Sequence, residues 1–256
     1  MTFHKKRLAP LRYLSFGIMG LCLGLCACMG PERSGFEVGH AGAIKHFMHQ
    51  GDISAQADLL DFSGRPHFYA LGALEGLQGE ILVQNSRPII SYADEDRVRT
   101  DTSFNHRAAL LVYAFVPGWE EWPLPDSVRT VAQLEGFLQA FLSRRGFASD
   151  QVVPFRLEGP VQQLDWHVIR WPSGDSVHTH AKHRRHSLRG RLSAQPVSIL
   201  GFYATQHQGI FTHKNRFLHM HVSDRAGRVA GHVEDGILRD GMRLFIPSSR
   251  GGKRAY

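Results

Sequence analysis

One stretch of this chain has clean helical periodicity, while many short runs read as strands, and that imbalance sets the fold class. The spacing predicts a helix over 128–145, where Val131, Leu134, Leu138, Phe141 and Leu142 form one apolar stripe. Asp126 or Ser127 can cap its start, and Gly146 is placed to end it. A shorter helix is expected over 40–50, with Ile44, Phe47 and Met48 on one face. Strand-like runs lie at 68–71, 80–84, 88–92, 152–157, 164–171, 197–203, 217–222 and 237–246. Residues 108–116 are the best candidate for a buried strand. Residues 58–66 read as a loop, and 95–105 as a polar, exposed connection. The pattern predicts an α+β domain built on mixed or antiparallel β-sheets with few helices. A faint echo links Leu71-Gly72…Gln78-Gly79-Glu80 to Leu200-Gly201…Gln208-Gly209, which raises the expectation of two similar halves in one domain. With 256 residues, 43% of them hydrophobic, the chain can bury a large core.

The N-terminus reads as an address rather than as part of the fold. Residues 4–12 are basic, and 13–25 are apolar. That run is too short for a bilayer span of about 20 residues but suits a signal peptide. It ends in Leu25-Cys26-Ala27-Cys28, which resembles a lipobox, with Cys28 the residue that takes the lipid after cleavage. An ordinary secretory signal with Cys28 merely near the cut, or a retained anchor, are the alternatives. The resulting division is a signal peptide over 1–27, a tether over 28–35, a domain over 36–247 and a basic tail over 248–256. Lys5, Lys6, Arg7 and Arg12 leave with the signal, so the formal charge falls from +7 to +3. A concentrated basic footprint for nucleic acid therefore disappears with them. Cys28 is the sole cysteine beyond the signal, which excludes an internal disulfide and a Cys–His nucleophile pair in the mature chain.

Histidine is the residue in excess, with 16 in the chain. His219 and His221 sit two apart in a predicted strand, so both rings point to one face. A turn at Asp224-Arg225-Ala226-Gly227 would fold the chain back and set His232 opposite them. Three neutral imidazoles with an open position suit a catalytic zinc ion; the alternative is a pair of cross-strand partners on a solvated face. A second cluster, His178, His180, His183 and His186 with Lys182, Arg184 and Arg185, reads first as a solvated basic loop. Anion or nucleic-acid contact and a secondary metal site are the other readings. Glu75 and Glu80 lie in a glycine-framed segment that on its residues alone is an ordinary turn.

At these positions the chain resembles the alpha-acetolactate decarboxylase family. The resemblance runs from about 36 to 246. It is carried by Phe36-Glu37-Val38, Leu71-Gly72-Ala73-Leu74 with Leu77-Gln78-Gly79-Glu80, Pro154-Phe155-Arg156-Leu157-Glu158-Gly159, and Gly201-Phe202 with Gln208-Gly209-Ile210. His219-x-His221 with Gly231-His232-Val233 closes the series, at the family's own spacing. The resemblance implies Zn2+ held by His219, His221 and His232. It implies Glu80 as a site carboxylate that helps proton transfer, and a small-molecule 2-hydroxy-3-keto acid as substrate. The family's arginine after the Glu-Gly strand is not matched: His167 falls near its place and Arg170 is displaced, so Arg170 is the expected replacement cation. The family's late glutamate has no counterpart, since no acid follows Asp240.

The same hairpin resembles that of zinc-dependent ester hydrolases and, over 217–236, that of the plant-and-prokaryote conserved domain linked with DNA binding. Ester hydrolysis, or metal and ligand binding without catalysis, are accordingly the alternative functions. An exported chain does not meet DNA, so the expected partners are a small-molecule substrate and a membrane reached through the lipid, with no nucleic acid; a homodimer remains open. Replacing Cys28 tests the address. Cys28→Ser is expected to move the protein from the membrane fraction to the soluble exported fraction and to abolish labelling by radioactive palmitate. An unchanged membrane fraction would argue for a retained anchor.

Overall fold

The computed structural model describes residues 35–248. The residues read above as a signal peptide, with Cys28, the residues read as a tether up to 34, and the expected tail beyond Ser248 lie outside the described residues. Two antiparallel sheets dominate. In the first, β1 (Glu37–Ala41) and the two-residue β2 (Ala57–Asp58) pair with one edge of β7 (Arg107–Phe115). The order continues through β3 (Phe68–Leu74), β4 (Glu80–Gln84), β5 (Arg87–Asp94) and β6 (Arg97–Asp101). The second sheet runs β10 (Ser187–Tyr203), β11 (Leu218–Asp224), β12 (Ala230–Leu238), β9 (Val153–Ile169), β13 (Arg243–Pro247) and β8 (Trp119–Pro123). Because β10 also pairs with β9 from Val153 to Ile169, strands β9, β10, β11 and β12 close into a ring. This is the α+β class read from the sequence. The Leu71-Gly72 and Leu200-Gly201 parts of the internal echo fall on β3 and β10, each flanked by strands on both sides, whereas Gln78-Gly79-Glu80 leads into β4 and Gln208-Gly209 lies in a turn.

Among the described residues there are three α-helices, α1 (Ile44–Gln50), α2 (Val131–Arg144) and α3 (His180–Arg185). The apolar stripe of α2 buries Val131, Leu134, Leu138 and Leu142 against the second sheet, in a core that includes Phe155, Leu157 and Val222. Its cap is Thr130 rather than Asp126 or Ser127: Thr130 accepts from the Gln133 amide, and Gln133 reaches back to the Thr130 amide. A second core lies between the sheets, where Leu71, Leu82 and Val112 of the first meet Ile169, Leu200 and Phe202 of the second.

Several local expectations differ from the structure. Residues 40–50 split into the end of β1 and the helix α1, with Gly42 at φ 74 between them. The connection over 95–105 contains β6, whose alternating Arg97, Arg99 and Asp101 mark it as an edge strand. The run over 237–246 is the end of β12, a turn and β13.

A Cβ at Gly72 would lie 1.9 Å from the Leu110 carbonyl oxygen, so β3 and β7 approach as closely as they do only with glycine there. Gly136 of α2 faces open space. Urea unfolding is expected to show Gly72→Ala destabilised by about 3 kcal/mol and Gly136→Ala stabilised by about 1 kcal/mol. Equal effects would contradict this reading of the two positions.

Candidate metal centre

Alternation along β11 sorts its side chains. Leu218, Met220 and Val222 enter the core that faces α2, which turns His219 and His221 toward the first sheet. Register then does the rest. His221 pairs with His232 across β11 and β12, and His232 pairs with His167 across β12 and β9. A Cβ on Gly231 would lie 2.7 Å from the His167 carbonyl oxygen, so glycine permits the close strand approach beside this pair.

His219, His221 and His232 each offer a ring nitrogen, and these atoms all lie within 4.8 Å of one another. Glu80, the first residue of β4, meets them from the opposite sheet: its Oε2 is 3.6 Å from His221 Nε2. Its Oε1 accepts from the Ile169 amide at 3.2 Å and lies 3.7 Å from His167 Nε2. His167 Nδ1 is 2.7 Å from Glu234 Oε1, and Glu234 Oε2 receives Arg189 at 2.5 Å. The chain Arg189–Glu234–His167 thus fixes the His167 ring beside Glu80.

Burial sets the protonation states. It drives His219 and His232 well below the usual histidine pKa and pushes His221 down to about 3, with neighbouring imidazoles adding to the effect. Burial also pushes the Glu80 carboxyl well above the usual carboxylate range, against the Ile169 amide, which lowers it. The His167 hydrogen bond holds Glu234 down at about 2. The trio is therefore neutral, and His221 Nε2 is buried without a hydrogen-bond partner. Three neutral imidazoles, one of them holding an orphaned lone-pair donor, fit a late first-row metal ion. A cavity of about 340 Å³ opens onto His219 and His232, with Glu80, His167 and Glu234 also in its wall.

The structure brings Glu80, His219, His221 and His232 together and leaves Arg170 out. Arg170 is exposed just beyond β9, its amide bonded to the His186 carbonyl, and it does not line the cavity. The cations in the cavity wall are Arg184 and Arg216. The cluster over 178–186 is a short helix rather than a loop, and Thr179, His180, Ala181, Arg184 and Arg185 stay exposed on it as the solvated reading expects. It forms α3, with His178 buried and stacked on Trp171 at 4.1 Å. Sequence reasoning gave no role to His167, Glu234, His213 or Arg216. The signal for Glu234 was present, since it follows His232 by two residues in a strand and shares its face.

No family model matches the chain, and no curated protein matches it. Solved structures do. The alpha-acetolactate decarboxylase of Bacillus subtilis strain 168 superposes with a TM-score of 0.65 over 82% of this chain and 85% of that one, at 12% identity. The acetolactate decarboxylase of Bacillus subtilis subspecies spizizenii gives 0.65 over the same shares at 13% identity. A Staphylococcus aureus protein described as similar to alpha-acetolactate decarboxylase gives 0.63 over 82% and 84%, at 11% identity. The chain has the fold of these proteins.

Because burial keeps the trio neutral, protons compete weakly for it. Chelator competition is expected to give nearly equal zinc affinity at pH 7.5 and pH 6.5. Three imidazoles of ordinary pKa would lose about sixfold over that step. His219→Ala/His221→Ala is expected to abolish binding; an unchanged zinc affinity in that variant would remove the trio from consideration.

Proposed function

We propose that this chain is a zinc-dependent carboxy-lyase that converts 2-acetolactate to acetoin and carbon dioxide. We propose further that it is an exported lipoprotein held at a bacterial membrane through Cys28, a reading supported by the basic and apolar pattern over 4–28. The observation that carries the chemistry is a buried carboxyl, its pKa raised by burial, set against a trio of imidazoles, two of them buried, across the interface of two sheets. The fold shared with two acetolactate decarboxylases supports it.

His219, His221 and His232 would hold the metal. When bound, it supplies a Lewis acid that offsets negative charge developing on substrate oxygen. In the reaction, the bond between the carboxylate carbon and its neighbour breaks. Its electron pair passes toward the ketone oxygen, and carbon then needs a proton. The Ile169 amide occupies Glu80 Oε1, which leaves Oε2, the oxygen facing the trio, to carry that proton. His167 is locked by Glu234 with Nε2 toward Glu80, so it orients the carboxyl. Leu77, Ile169 and Phe211 wall the cavity with apolar surface, which excludes water and strengthens each of these interactions.

A second reading, ester hydrolysis at the same centre, is favoured by the His167–Glu234 pair. A carboxylate at 2.7 Å is the partner a histidine needs to act as a general base toward water. Zinc-loaded protein supplied with racemic acetolactate separates the two. Release of acetoin, reduced about 10²- to 10⁴-fold by Glu80→Gln with zinc content unchanged, is expected. Zinc-loaded protein that makes no acetoin would overturn the decarboxylase reading, and ester turnover lost in His167→Ala would establish the second.

A further inference from the structure

The cluster over 178–186 is placed with a precision that a solvated loop does not have. Thr179 caps α3 by accepting from the Lys182 amide at 3.2 Å. Lys182 reaches back to Asp175 at 2.7 Å. His178 stacks on Trp171, and its Nδ1 lies 3.0 Å from His183 Nε2. His183 in turn packs on Phe47 of α1. These contacts hold one face of α3 against the protein and direct another into the cavity. On that second face His180 and Arg184, one turn apart, both line the cavity wall. The turn that precedes β11 supplies a matching pair, His213 and Arg216. The two pairs meet at the mouth, where the His180 and His213 rings are 6.0 Å apart.

Neither Arg184 nor Arg216 has a carboxylate partner or a side-chain hydrogen bond among the described residues, whereas Arg189 and Arg191 nearby are both paired. Neither guanidinium makes a hydrogen bond or ion pair with Glu80, His219, His221 or His232 among the described residues, and the two belong to the segments that carry His180 and His213. The path from His232 runs through His213 at 5.7 Å and then to His180 at a further 6.0 Å. The wall between is partly apolar, with Phe47, Met48 and Phe211, and the cavity's volume of about 340 Å³ is that of a site for a ligand larger than acetolactate.

We infer that Arg184 and Arg216 bind a second acidic group on the substrate, distal to the end that reacts at the metal centre. The preferred substrate is then a 2-hydroxy-3-keto acid of the acetolactate type that carries a further carboxylate at the other end of its chain; 2-acetolactate, with its single carboxylate, reacts at the same centre but leaves Arg184 and Arg216 unused. This rests on the metal-centre reading for the reacting end only. Arginine suits the distal role because its planar fork meets a carboxylate with two donors.

Calorimetric titration of the zinc-loaded protein with 2-hydroxyglutarate and with 2-hydroxyvalerate tests this, since the two differ in the distal carboxylate. The dicarboxylate is expected to bind about tenfold more tightly, from one or two charge-assisted hydrogen bonds weakened by exposure at the mouth. The preference is expected to shrink with added salt. Arg184→Gln/Arg216→Gln should lower 2-hydroxyglutarate to the affinity of 2-hydroxyvalerate, and Arg184→Lys/Arg216→Lys should keep part of the preference. Both variants are compared with the parent for zinc content and thermal unfolding. Dicarboxylate binding no tighter than that of the monocarboxylate, including no binding of either, overturns the proposal, as does a preference that survives the double glutamine substitution. A preference that depends on the arginines but persists in His219→Ala/His221→Ala supports the distal site while rejecting the metal-centre reading.

Discussion

The register of three adjacent strands governs this site. Antiparallel pairing of β11 with β12 and of β12 with β9 lines up His221, His232 and His167 as successive cross-strand partners. A slip of one residue in either ladder would turn a ring to the opposite face. The register is pinned from several directions at once. The ring of β9, β10, β11 and β12 closes on itself, so no strand in it can slide without disturbing two neighbours. Leu218, Met220 and Val222 on the reverse face of β11 are buried in the core that faces α2, which fixes the orientation of that strand independently.

The cost of such a site falls on solvation. Four titratable groups, Glu80, His219, His221 and His232, lie in or beside the interior, and burial pushes each toward its neutral form. The charges nearby are kept outside this group and are paired. Glu234 is held ionised between His167 and Arg189, so its charge orients a ring without entering the centre. Neutral nitrogens with poorly satisfied lone pairs destabilise the fold in isolation and favour a bound cation for the same reason. Function and instability here share one origin.

Much of this was legible in the sequence because it is local. The stripe of α2, the i, i+2 spacing of His219 and His221, and the turn that returns His232 are all set within a few residues. The long strands were not legible as single elements. Pro160 and Pro196 argue for breaks, yet they are partners across β9 and β10, so the two missing amides fall at one place in the ladder and both strands continue. His167 was visible only as a departure from a family pattern. Its role depends on pairing with a strand some 65 residues further along, which no local pattern encodes. Residues 178–186 were legible only in part: their charge correctly suggests solvent for most of the segment, while the contacts of Trp171, Asp175 and Phe47 that order His178, Lys182 and His183 are not local. Arg170 was chosen by proximity in sequence, and the end of β9 turns it outward.

The central claim is that His219, His221 and His232 together form one metal site. X-ray absorption at the zinc edge, on the full protein loaded with one equivalent, tests it most directly. The account requires a shell containing three imidazole nitrogens at about 2.0–2.1 Å, reduced in count when His232 is replaced by alanine. An all-oxygen shell, or a shell unchanged by that replacement, would contradict it.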